Sequence, residues 1–198
     1  MEADVDLTSL RDRPFELLRA MERLGLRLAA GSLGQAETQW SGLGFRMGEE
    51  RYVCPRDDVR EVLVMPDVMT RIPGTRPWLT GLANIRGQLL PIVDLKAFLG
   101  GGPTRQTRAT RVIVVNHRDV PAGLTVDELL GFRRFDDEQR RAALPPAVAG
   151  RERYLHGAFH QDGRDWLVFS LIRLVESPQF LAAAQPAGGA ARQDGTFG

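Results

Sequence analysis

Gly81-Leu82-Ala83-Asn84-Ile85-Arg86-Gly87-Gln88-Leu89-Leu90-Pro91-Ile92-Val93-Asp94-Leu95 is the most informative stretch of this 198-residue chain. Leu82–Arg86 and Gln88–Val93 read as two short consecutive strands separated by Gly87. Within the first, Leu82, Asn84 and Arg86 share a face, because side chains alternate along a strand. Gly81 and Gly87 allow a close backbone approach or a bulge. Asp94 can cap a short helix, Leu95–Leu99, its carboxylate accepting from free N–H groups of the first turn. Upstream, Val59–Met65 reads as a strand ended by Pro66. There Glu61 falls in line with Val59, Leu63 and Met65. A carboxylate on an apolar face needs a cation or donors. Arg86 is the natural partner, a planar fork meeting a carboxylate.

Further strands are read at Leu43–Met47, Arg51–Pro55, Arg111–Asn116, Val120–Val126, Gly131–Phe135, Tyr154–His160 and Trp166–Ser170. Gly48-Glu49-Glu50 and Asp162-Gly163 punctuate as turns, and Leu171–Glu176 reads as a closing helix. About ten short strands at close spacing point to small barrels, since a parallel α/β sheet needs a helix after nearly every strand. Long connectors at 100–110 and 136–150 suggest two lobes. Residues 1–40 form a leader, in which Pro14 opens an amphipathic helix of about 14–30 with Leu17, Met21, Leu24 and Leu28 on one stripe. That stripe either packs on its own domain or docks a partner. Residues 41–177 hold the strands, and the Gly/Ala-rich 178–198 reads as a disordered tail.

Composition narrows the function. With 26 basic and 25 acidic groups, net charge is +1, which argues against a nucleic-acid footprint. Apolar residues make up 43% of the chain, enough for a sizeable core. Cys54 is the only cysteine, so neither an internal disulfide nor a cysteine zinc cluster forms. No signal peptide and no apolar run near a membrane span is visible, and the chain reads as soluble and cytoplasmic. His156 and His160 share parity on one strand, but a metal requires three or four ligands and only two are organised there. Asp57 and Asp58 are adjacent rather than paired across a cleft, and Lys96, the only lysine, completes no phosphoacceptor set. No Ser or Cys sits in a nucleophile elbow. No catalytic residue, cofactor or metal is expected.

The ordered set of motifs resembles the CheW family of chemotaxis adaptors. The matching marks are Val59-x-Glu61-Val62, Gly81 to Gly87, Leu90-Pro91-Ile92-Val93-Asp94-Leu95, Ala122 to Gly131 and Tyr154-Leu155-His156-Gly157-Ala158-Phe159. They run in family order from about 43 to 177. His156 and Ser170 depart from the residues usual there. Pro14-Phe15-Glu16-Leu17-Leu18 and Gln39 to Arg46 look like the PilI branch, which serves type IV pilus (twitching) systems. The resemblance implies a mainly β, CheW-like fold: two five-stranded SH3-like barrels around a shared core. It implies a non-catalytic adaptor, a monomer or one with weak array contacts, recruited to membrane-associated chemoreceptor arrays. Its partners would be a chemoreceptor signalling tip and the regulatory domain of a CheA-type histidine kinase. By resemblance the receptor groove involves Val59, Glu61, Val62, Gly81, Asn84 and Arg86, and the kinase contact Trp78 and Leu79. Arg86 has two readings, a strut holding two strands or a direct contact. A flagellar adaptor and a small ligand- or metal-binding β-barrel are the alternatives.

Overall fold

The computed structural model describes residues 39–141, 143–144 and 151–184. The expected leader helix at 14–30 and the chain beyond 184 lie outside them. The chain divides into two units, Met1–Gln39 and Trp40–Gly198, and the fold belongs to the second. Its elements are β1 (Gln39–Met47), β2 (Glu50–Pro55), β3 (Val59–Val64), β4 (Leu79–Ile85), β5 (Gln88–Asp94), α1 (Leu95–Phe98), β6 (Arg111–Val115), β7 (Gly123–Val126), β8 (Glu128–Asp136), β9 (Arg140–Arg141), β10 (Leu155–Gln161), β11 (Arg164–Phe169), α2 (Leu171–Val175) and α3 (Pro178–Ala184).

Two mixed sheets result, ordered β8-β1-β2-β11-β10-β9 and β3-β6-β7-β5-β4. The second has the five strands expected, and the first carries a sixth, the two-residue β9 at its edge. The lobes are not split at the long connectors. The 100–110 segment falls between β5 and β6, both strands of the second lobe's sheet, and the strands that flank 136–150 in sequence, β8 and β10, both belong to the first. The chain passes between lobes at a 3-10 turn, Arg56–Asp58, and again between β7 and β8. Two parallel pairings close this arrangement, β2 with β11 (Tyr52 opposite Leu167) and β5 with β7 (Val93 opposite Leu124).

The strands are apolar on both faces because each face has a core of its own. On β2, Tyr52 and Cys54 enter the largest cluster, while Val53 enters another with Phe135, Phe159, Trp166 and Val168. On β11, Leu167 and Phe169 take the first side and Trp166 and Val168 the second. The largest cluster also draws Val93, Ile113, Leu124 and Val126 from the second sheet, so it is the core the two lobes share. Ala83, Leu90, Ile92, Val112 and Val114 form the second lobe's own cluster. Doubly buried strands give nearly continuous hydrophobic runs.

The Asp94 cap follows the chemistry read from the sequence, and a second cap, at Ser170, joins it. Asp94 accepts from the Ala97 N–H at 3.1 Å and ends β5 where α1 begins. It also accepts from Thr104 N–H at 2.6 Å, which ties down the connector after α1. Ser170 caps α2 by accepting from Arg173 N–H at 3.2 Å, which gives that residue a structural job. Past Ser177 the chain is helical to Ala184 rather than a tail from 178, because Phe180 buries its ring against the shared core.

Candidate functional site

Arg86 does not lie in a strand face. Ile85 pairs with Gln88, so Arg86 and Gly87 are the two loop residues of a tight hairpin. Their φ angles are +52° and +84°, as a two-residue turn matched to strand twist requires. Asn84 accepts from the Gly87 N–H at 2.9 Å and holds the turn. The guanidinium of Arg86 thus stands at a hairpin tip, 80% exposed. It still meets Glu61, Nη2 to Oε2 at 3.2 Å, as the sequence suggested.

Glu61 is presented by a bulge. Val59 pairs with Val115 and Glu61 with Val114, so Arg60 is the extra residue. The bulge breaks the face that Val59, Glu61, Leu63 and Met65 were expected to share. Val59 packs against the shared core, whereas Leu63 and Met65 pack against the second lobe's own cluster. β3 and β4 are the two edge strands of the five-stranded sheet, and the Arg86–Glu61 pair crosses the gap between them. Beside the pair lies a cleft of about 260 Å³, walled by Arg60, Ile85, Gln88, Leu90 and Val114. It offers two exposed cations, Arg60 and Arg86, one shielded carboxylate and an apolar floor, which suits a polypeptide side chain rather than a reaction.

Of the six groove candidates, Glu61 and Arg86 line this cleft and Asn84 shapes its turn. Gly81 sits at a register shift in β4, where a Cβ would come within 2.7 Å of the Thr70 carbonyl oxygen. Its role is close backbone approach. Val62 lies on β3, half exposed on the side opposite the cluster. Trp78 packs edge-on to Phe98 at 4.8 Å and stacks on Phe180 at 6.0 Å, and Leu79 packs on the shared core.

A group not singled out from sequence is apolar and exposed: Val64, Val68 and Leu89. Val68 is 81% exposed, and all three belong to the β3–β5 segment. The signal was available in Val62 and Val64, apolar at alternate positions opposite Leu63.

The other polar clusters serve the fold. Glu50 accepts from Arg151 Nη2 at 2.7 Å and from Tyr52 O–H at 2.6 Å. Burial opposes the Glu50 charge, but the Arg151 and Tyr52 hydrogen bonds outweigh it and hold its carboxyl below the usual range. Asp58 accepts from Leu171 N–H at 3.0 Å and ties the lobe crossing to α2, burial pushing its carboxyl upward. His117 Nδ1 accepts from the Asp119 and Val120 N–H groups, which leaves Nε2 facing Glu176 at 3.2 Å. His160 meets Asp165 at 2.6 Å. Burial and Arg173 disfavour the charged form of His156. Among the described residues no group of three His, Cys, Asp or Glu side chains is placed to hold a metal. No helix among them is long and apolar enough to cross a membrane.

Comparison with known proteins accords with this geometry. The CheW-like domain family model matches residues 41–179. Protein PilI of Pseudomonas aeruginosa is 44% identical over 173 residues, covering 86% of this chain and 96% of PilI. Protein FrzA of Myxococcus xanthus is 34% identical over 59% of this chain and 70% of its own. Among solved structures, the scaffolding protein TtCheW from Thermoanaerobacter tengcongensis superposes with a TM-score of 0.59 at 28% identity, over 70% of this chain and 94% of that one.

Proposed function

The chain belongs to the CheW-like domain family, and from that premise we propose that it is a non-catalytic adaptor joining a chemoreceptor signalling tip to a CheA-type histidine kinase. The likeness to PilI supports a place in a type IV pilus chemosensory system, with the chain in the cytoplasm at membrane-associated receptor arrays. The observation that carries the reading is the Arg86–Glu61 cleft between the two edge strands of the five-stranded sheet. A coupling protein needs surfaces and not a reaction centre, and this one is a side-chain-sized recess with a cation held at its rim.

The receptor tip would engage Arg86 and Glu61 directly. Asn84 and Gly81 would set the backbone around them, with Val59 supporting and Val62 adding apolar contact. The kinase regulatory domain would cover the exposed Val64, Val68 and Leu89. Trp78 and Leu79, half-buried against the shared core, would support the lobe that carries them. Exposed apolar side chains suit a protein contact.

Pull-down of the full chain with a kinase regulatory domain and with a receptor tip fragment tests the reading. Both are expected to be retained, and a deletion strain is expected to lose twitching and keep swimming. Retention of neither partner overturns the adaptor; loss of swimming with twitching intact moves it to a flagellar system.

A further inference from the structure

Two arginines of the first lobe share one indole. The Arg51 guanidinium lies 5.4 Å from the centroid of the Trp166 ring, and that of Arg133 lies 5.2 Å from it. Arg51 stands directly opposite Arg46 in the β1–β2 pairing and opposite Trp166 in the β2–β11 pairing. Like charges facing across a ladder repel. The charge of Arg46 is answered by Asp127 at 3.6 Å and Glu128 at 3.2 Å. Among the described residues no carboxylate lies within 4 Å of Arg51 or Arg133. The Nε of Arg133 is buried without a hydrogen-bond partner. A shielded, unanswered donor is costly.

Both arginines stay partly exposed beside the indole. An arginine has five donors in a fixed fork, and a stacked ring uses none of them. The seat is built into the backbone. A Cβ at Gly44 would come within 3.0 Å of the Trp166 ring and 3.2 Å of the Arg133 side chain. Trp166 itself is buried, which holds both arginines to one anchor.

We propose that Arg51 and Arg133, braced on Trp166, form a docking site for a glutamate- or aspartate-bearing segment of a protein partner. Two cations on one indole supply charge complementarity, and a guanidinium fork favours a planar carboxylate. The site is built from β2, β8 and β11, none of which walls the Arg86 cleft, so it stands without the receptor reading.

The test is an NMR titration of the full chain, following the Trp166 indole N–H and the Arg51 and Arg133 Nε–H signals. The probe is a synthetic peptide of alternating glutamate and serine. Controls are the same peptide with glutamine for glutamate, and inorganic phosphate. Saturable shifts at these three signals, absent with the glutamine peptide, are expected. Arg51→Gln and Arg133→Gln should each weaken binding about tenfold, the loss of one charge-assisted pair. If either fails to fold, Arg51→Lys and Arg133→Lys keep charge and stem but lose the fork, and should weaken binding several-fold. Wild-type binding in the lysine variants and in any folded glutamine variant would mean the arginines only brace Trp166. Shifts spread over arginines at large, or saturating with phosphate and not with peptide, also overturn the proposal.

Discussion

At the scale of single residues, position in the turn separates what Arg86 does for folding from what it does for binding. A non-glycine residue at φ +52° is strained by about 1 kcal/mol. The ion pair returns no more than about 1 kcal/mol, because Arg86 is 80% exposed and the pair is screened. Arg86→Asn removes the guanidinium and inserts a residue that tolerates that conformation. The melting temperature should stay within a few degrees of wild type while receptor-tip affinity falls about tenfold. Parallel loss of folding and binding would return Arg86 to the role of a strut. Glu50 is the opposite case, a carboxylate that works for the fold. Its pKa is depressed, so its contribution is full above the unfolded value near 4.5 and fades as pH falls through the lower folded value. Glu50→Gln should cost about 2 kcal/mol at neutral pH, discounted for the partial exposure of the pair. Denaturant melts from pH 7 to 3 check the sign: the gap between wild type and variant should narrow only below pH 4.5. A gap that widens on acidification contradicts the assignment.

Among the elements, those set by local chemistry were legible in the sequence, and most of those set by tertiary partners were not. The Asp94 cap and the Gly81 close approach rest on residue types a few positions apart. The Glu61–Arg86 pair followed from charge complementarity, although the strand parity expected to align it does not hold, since Arg86 is a turn residue and Glu61 follows a bulge. The Arg60 bulge left no mark in the sequence, since it is fixed by the register of β3 on β6, and it moved Val59 to a different core. The lobe division shows the same limit: the long connectors do not separate the lobes, because β2, near the start of the fold, pairs with β11, the last strand. The α3 helix leaves little mark in the sequence, which is small and aperiodic apart from Phe180, a residue whose value comes from the distant shared core, Trp78 and Phe98 included. Phe180→Ala should therefore cost about 3 kcal/mol, seen as a lower denaturation midpoint. Kinase-domain binding of that variant, measured well below its melt, should persist if Trp78 is support rather than contact. Its abolition in a folded variant would put Trp78 at the interface itself.

Over the whole molecule, one shared core carries two lobes whose outer surfaces are free to differ. Leu124, Phe169 and Tyr52 are fully buried in a cluster drawn from both sheets, so the lobes should unfold in one transition rather than two. That rigidity is what a coupling protein requires, because two partners bound to one frame keep a fixed relation. Within the second lobe, the Arg86 tip and the Val64 and Val68 side chains use different chemistry, charge against apolar burial. Val64→Asp together with Val68→Asp removes the apolar surface at positions already open to water, so stability should change by less than about 1 kcal/mol. Kinase binding should fall at least tenfold, and receptor-tip binding should stay within twofold. Combining these changes with Arg86→Asn should give the sum of the separate losses for each partner, as distinct sites on a rigid frame do. Strong non-additivity, or loss of both partners from either change alone, would mean that receptor and kinase share one surface and that the chain competes rather than couples.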